Sequence, residues 1–226
     1  MCTKKIRVGI VLSGSGVYDG TEIHEAVLTL YHLDKLGASV HFFAPDIAQM
    51  HVINHQTQTP DASASRSVLA ESARIAKGPV TDIREARIED LDAAIFPGGF
   101  GAAKNLSSFA TQGQDCTVNE DVATFIRSMN RAKKPLGFMC IAPVLAAKVL
   151  GNVTVTIGQD PDTASAISSF NSTHQNAQVD DIVLDSEQRV VTTPAYMLGA
   201  SISEISVGIE KLVEQVHQLA LEPVAV

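Results

Sequence analysis

Tryptophan is absent from this chain of 226 residues, aromatic side chains make up 5% of it, and cysteine occurs only three times, at Cys2, Cys116 and Cys140. An odd, sparse set with no metal-type spacing excludes a disulfide framework and a cysteine-built zinc site, and fits a reducing compartment where thiols stay free. Basic residues are short too: 17 Lys and Arg against 25 Asp and Glu leave a formal net charge of −8. With no basic block anywhere, the balance argues against nucleic acid or an anionic membrane as a partner. No apolar run approaches a membrane span. The amino terminus goes from two lysines straight into a strand pattern, without the apolar segment of a secretory signal. A cytoplasmic location is expected. No helix pattern carries two histidines at metal spacing and the carboxylates are dispersed, so no metal site is expected either.

What is present is 45% hydrophobic residues in a length that suits one well-buried α/β domain, here taken as residues 1–226. Strand and helix signals alternate from end to end, the pattern of a mostly parallel sheet flanked by helices. Strands are expected at Ile6–Leu12, Ser39–Ala44, Ala93–Phe96, Pro135–Met139 and Val153–Ile157, with hairpins around His51–His55 and over Ile182–Val191. Helices are expected after Thr21 as cap with Gly37 as stop, over Ser67–Lys77, Asn119–Ala132 and Asp160–Phe170, after Cys140, and from Ala200 to Leu221.

The most informative stretch is Pro135-Leu-Gly-Phe-Met-Cys140-Ile-Ala-Pro143, a buried strand running straight into a helix with a cysteine at the junction. A side chain on such a turn projects into the crevice at the strand's carboxyl end, facing the first free amides of the helix. Those amides and the helix dipole favour thiolate over thiol. Pro143 suits the first turn of that helix. On these residues alone, Cys140 is equally well a nucleophile or a small core hydrophobe beside Phe138, Met139 and Ile141.

Phe96-Pro-Gly98-Gly99 ends another strand at the same edge of a parallel sheet, with backbone amides uncovered by side chains. One amide from Gly98 or Gly99 and one from Ile141 could hold an oxyanion formed on a carbon attacked by Cys140. Glu25, in the second turn of the first helix, is a candidate proton carrier on that edge. Its neighbour His24 points about 100° away around the helix. His174 falls in a polar loop and is expected to face solvent. Gly14-Ser-Gly16 with Gly20, and Asp46 beyond the second strand, make a weak dinucleotide-loop signal, because the third glycine is misplaced.

Several of these stretches together resemble a known family: Leu12-Ser-Gly-Ser-Gly-Val-Tyr-Asp-Gly20, Glu22-Ile-His-Glu-Ala26, Val52-Ile-Asn-His55, Pro97-Gly-Gly-Phe-Gly-Ala-Ala-Lys-Asn-Leu106, Gly137-Phe-Met-Cys-Ile-Ala-Pro143 and Val191-Thr-Thr-Pro-Ala-Tyr-Met197. They are similar to the PfpI-like superfamily, related in fold to class I glutamine amidotransferases. More narrowly they resemble the ElbB family of "enhancing lycopene biosynthesis" proteins, which has mitochondrial relatives. The resemblance implies a flavodoxin-like sandwich, Cys140 as the nucleophile, Glu25 contacting its sulfur, and oxyanion donors at Gly99 and Ile141. It also implies a cofactor-free glyoxalase activity turning glyoxal into glycolate, a small dicarbonyl substrate and a homodimer. An alternative is a redox-sensing or regulatory protein working through oxidation of Cys140. Two positions depart from the pattern. Ile141 follows Cys140 and Thr192-Thr-Pro-Ala-Tyr196 holds no histidine, so glutamine hydrolysis and proteolysis are not expected, since a poor leaving group needs a general acid. Ser15 stands where the ElbB type would have a second cysteine.

Overall fold

In a computed structural model, which describes residues 5–222, seven strands form one twisted sheet in the order β10-β11-β7-β6-β1-β2-β5. The strands are β1 (Arg7–Val11), β2 (Ser39–Ala44), β5 (Thr81–Asp82), β6 (Ala93–Phe96), β7 (Leu136–Met139), β10 (Val183–Asp185) and β11 (Val190–Thr193). All neighbours pair in parallel except β10 and β11, whose hairpin puts an antiparallel strand at one edge. Cys2 lies outside the described residues.

The central strands read as near-continuous apolar runs because both of their faces are covered. Successive side chains go to opposite faces: Ala93 and Ile95 of β6 join the core on one side, Ala94 and Phe96 that on the other. The first side is closed by α1 (Ile23–Lys35) and α8 (Ile202–Leu221). The second is closed by α5 (Glu120–Arg131), α6 (Pro143–Leu150) and α7 (Pro161–Ser169), with Phe96 and Phe138 stacked at 4.6 Å between their ring centres. Gly137 lets α8 approach β7, since a Cβ there would lie 2.9 Å from Leu212.

Helix ends follow the local chemistry. Ser67 caps α2 (Val68–Ala76), Asn119 caps α5, Asp160 caps α7, and Ser201 with Glu204 forms a capping box on α8. At α1 the cap is Glu22 rather than Thr21. Its Oε2 accepts from Glu25 N–H at 2.7 Å, while Thr21 Oγ1 is taken by the Ser13 amide at 2.8 Å.

Two further expectations change. Val153–Ile157 yields only the two-residue β8 (Thr154–Val155), paired with β9 (Thr173–His174) in a separate sheet. Side chains intercept its amides, Asp185 Oδ2 taking Thr154 N–H at 2.8 Å and Thr192 Oγ1 taking Thr156 N–H at 2.9 Å. His174 is half-buried instead of solvent-facing, its Nε2 accepting from Ile157 N–H at 3.3 Å. The hairpin of β3 (Ile53–Asn54) and β4 (Thr59–Pro60) lies outside the main sheet, and two short helices, α3 (Phe100–Lys104) and α4 (Phe109–Gln112), follow β6. No helix among the described residues is long and apolar enough to cross a membrane.

Candidate active site

From β1 the sheet grows outward both ways, through β2 to β5 and through β6, β7 and β11 to β10, so the connections after β1 and β6 leave in opposite directions. A crevice opens at the carboxyl ends where such a reversal occurs. Glu25 enters it from α1 after β1, Gly98 and Gly99 after β6, Cys140 after β7, and Tyr196 after β11.

Cys140 has φ +59°, a left-handed conformation that an L side chain adopts at a cost of about 1–2 kcal/mol. Its amide donates to Thr193 O at 3.1 Å, and Pro143 opens α6 just beyond it. The turn leaves the side chain 8% exposed. The backbone amides of Gly99 and Ile141 and the carboxyl of Glu25 lie against Cys140 and act on its ionisation.

Glu25 is fully buried. Gly98 N–H donates to its Oε2 at 2.7 Å and Tyr196 N–H to its Oε1 at 3.3 Å. The Gly98 amide expected to serve an oxyanion is thus committed to Glu25, and the amides of Gly99 and Ile141 are those that face the sulfur. Gly98 must be glycine, because a Cβ there would lie 2.4 Å from the Cys140 Cβ and 2.9 Å from Glu25 Oε2.

The electrostatics differ from the expected resting thiolate. Burial, then the negative charge of Glu22, raise the Glu25 pKa to about 8, against the pull of the Gly98 and Tyr196 amides. Burial first, and the Glu25 charge second, push the Cys140 thiol well above its ordinary value; the Gly99 and Ile141 amides pull it down but do not win. Desolvation of the buried sulfur outweighs two amide dipoles. At neutral pH the pair therefore rests protonated. The first proton to leave, near pH 8, belongs to the pair, and its loss leaves one proton shared between sulfur and carboxylate.

A cleft of about 420 Å³ opens over the sulfur, walled by Val17, Phe100, Phe109 and Met197, with Tyr196 on one side and the carboxylates of Glu22 and Asp160 at its rim. Among the described residues no basic side chain lines it. Sequence reasoning missed Tyr196 and Glu22. The visible signal was positional: both follow strands whose carboxyl ends carry the other site residues. His24 does diverge from Glu25, yet its Nδ1 lies 2.9 Å from the Tyr196 hydroxyl.

The dinucleotide-loop signal resolves into packing. A Cβ on Gly20 would lie 2.3 Å from the Ser15 amide and one on Gly16 would lie 2.5 Å from His55 Nε2, so these glycines pack the loop against itself and against the β3–β4 hairpin. Among the described residues no group of three or more His, Cys, Asp or Glu side chains could hold a metal ion.

A rat protein, ES1 protein homolog, mitochondrial, is 49% identical over 224 residues, spanning 95% of this chain and 84% of the relative. The human glutamine amidotransferase-like class 1 domain-containing protein 3, mitochondrial, is 50% identical over 222 residues, spanning 94% and 83%. This chain belongs to the ES1 family of amidotransferase-like proteins. The crystal structure of an isoprenoid biosynthesis protein with an amidotransferase-like domain from Ehrlichia chaffeensis has a TM-score of 0.87 at 31% identity, covering 94% of this chain and 99% of that one. No family model matches the chain. The expected superfamily and flavodoxin-like sandwich stand. The cytoplasmic location does not: both of these relatives are named as mitochondrial proteins. Free thiols report a reducing environment, and that does not separate cytoplasm from an organelle.

Proposed function

We propose that this ES1-family protein carries the cofactor-free glyoxalase chemistry of the ElbB type, acting on a small dicarbonyl such as glyoxal as a homodimer. The observation that carries the reading is the buried Glu25 carboxyl set beside Cys140 at a mostly apolar cleft. Above pH 8 the carboxylate takes the thiol proton as sulfur attacks one aldehyde carbon, and passes it to the oxygen of the resulting hemithioacetal. The Gly99 and Ile141 amides stabilise that oxygen while it is negative. Glu25 then removes the hydrogen of the attacked carbon as a proton and returns it to the second carbon, leaving a thioester of glycolate. Water cleaves the thioester, releasing glycolate and the thiol.

An aldehyde has no leaving group to protonate, so the absence of a histidine beside Cys140 matters least for this chemistry. Glu22 and Asp160 favour a neutral substrate over an anionic one. A peroxide sensor, by contrast, works best with a resting thiolate, which the burial of Cys140 disfavours. The test is conversion of glyoxal to glycolate by purified protein. Cys140→Ser should lower turnover roughly 10³-fold or more, and Glu25→Gln by roughly 10²-fold or more. Equal rates for wild type and Cys140→Ser end the reading.

A further inference from the structure

The step from hemithioacetal to thioester moves two protons, and Glu25 accounts for one of them. When the hemithioacetal becomes a thioester, a hydrogen passes from the first carbon to the second, and a proton must also leave the first oxygen while the second oxygen gains one. Glu25 cannot carry both at once.

Tyr196 is placed for it. It belongs to a one-turn helix (Ala195–Leu198) that follows β11, entered through Ala195 at φ +44°. Its backbone amide fixes Glu25 Oε1, so the residue is tied to the acid, and its side chain lines the cleft with Cys140. Its hydroxyl lies 2.9 Å from Nδ1 of His24, with the two ring centres 5.8 Å apart. The His24 side chain is 56% exposed, and its Nδ1 lies 3.9 Å from Glu22 Oε1. One end of the pair therefore meets the cleft and the other meets water. A neutral imidazole accepts the tyrosine O–H at Nδ1, whereas a protonated one donates to the tyrosine oxygen, so the same contact serves both directions of transfer. Burial and the charges of Glu22 and Glu25 raise the Tyr196 pKa, which keeps the hydroxyl protonated and able to donate.

We infer that Tyr196 is the second proton carrier of this site, a catalytic acid–base that passes the hydroxyl proton of the hemithioacetal to the second oxygen, and that His24 relays protons between Tyr196 and solvent. The inference rests on the glyoxalase reading. In the step itself the second oxygen takes the Tyr196 proton as its carbonyl π bond opens, and Tyr196 recovers a proton from the first oxygen as that carbonyl forms. No electron leaves the substrate, and no co-reactant other than water is needed. His24 thus supplies, from α1 and through a tyrosine, a function that a histidine beside the nucleophile would otherwise perform.

Tyr196→Phe tests this cleanly, because it keeps the backbone amide that holds Glu25 and deletes only the hydroxyl. The kcat for glyoxal should fall roughly 10²-fold or more with KM little changed, while alkylation of Cys140 by iodoacetamide keeps its wild-type rate and pH dependence. His24→Ala should lose roughly tenfold in kcat and regain much of it with added imidazole, a rescue that a purely structural role would not give. Full turnover by Tyr196→Phe overturns the inference and leaves the reading intact, provided Cys140→Ser is inactive in the same assay. Failure of imidazole to restore His24→Ala overturns the relay through His24. A wild type that does not turn over glyoxal overturns both the reading and the inference.

Discussion

Two cysteines of this chain are free, buried and pushed above their ordinary pKa, yet only one has the surroundings of a nucleophile. Cys116 sits in the core on the side of the sheet closed by α5, α6 and α7, where burial is the main influence on its thiol and Lys148 pulls the other way. Cys140 sits at a left-handed turn with two backbone amides and a carboxyl group on its sulfur and an open cleft above it. Burial and raised pKa are common to both, so neither marks reactivity here. What separates them is a base within reach, amides that await negative charge, and room for a second molecule.

The comparison is broken most directly by exchanging the roles of the two sulfurs. Cys116→Ser should leave glyoxal turnover within about twofold while costing about 1–3 kcal/mol of stability through a buried hydroxyl, measured by denaturant unfolding. If it abolishes turnover in folded protein, the contrast fails. Gly98→Ala should be nearly as damaging to Cys140 chemistry as removing the sulfur, because the added methyl collides with the Cys140 Cβ and the Glu25 carboxyl. A fully active Gly98→Ala enzyme would show that the carboxyl–thiol contact is dispensable.

The pH dependence sharpens the difference. Iodoacetamide alkylation of Cys140 should rise as pH passes through about 8, where the pair with Glu25 loses its first proton, and Glu25→Gln should lose that step. Cys116 has no such partner and should show no step there. The same group links to stability. Its folded pKa is raised from 4.5 to about 8, so the protonated fold is favoured and that stabilisation is lost as pH rises between those values, by a few kcal/mol in all. Glu25→Gln should flatten this slope in thermal unfolding measured between pH 5 and 9. The smallest effect is expected from Glu22→Gln, which removes the second cause of the Glu25 shift and should move the alkylation step to lower pH by a few tenths of a unit.

Much of the site was legible along the chain because its parts are local motifs. A strand ending in Met-Cys-Ile-Ala-Pro builds the elbow at Cys140 from short-range sterics, and Pro-Gly-Gly strips side chains from the turn after β6. The apolar runs of β1, β6 and β7 gave the parallel sheet, and a parallel sheet puts every strand-to-helix junction on one edge. Glu25 could be assigned to that edge for the same reason. Helix periodicity also placed His24 correctly away from Glu25.

Periodicity within one helix cannot say what lies beyond it, and that is where expectation and structure part. His24 reaches the site through Tyr196, a residue 172 positions later in the chain. The Gly98 amide was free to serve an oxyanion until the fold brought Glu25 to it, 73 residues away in sequence. The anionic sulfur expected from helix dipole and amides depended on solvent access, and the packing of Glu25 and Gly98 against Cys140 removed that access.

The amino-acid sequence alone determined the central strands, the long helices and the place of Cys140 at a strand-to-helix turn, because these follow from apolar alternation, caps and one strained turn. Tertiary structure alone decided the protonation of that thiol, the partner of the nearby acid and the reach of His24. Proton affinity depends on desolvation and on charges a few ångströms away, and both are set by residues that only folding makes neighbours.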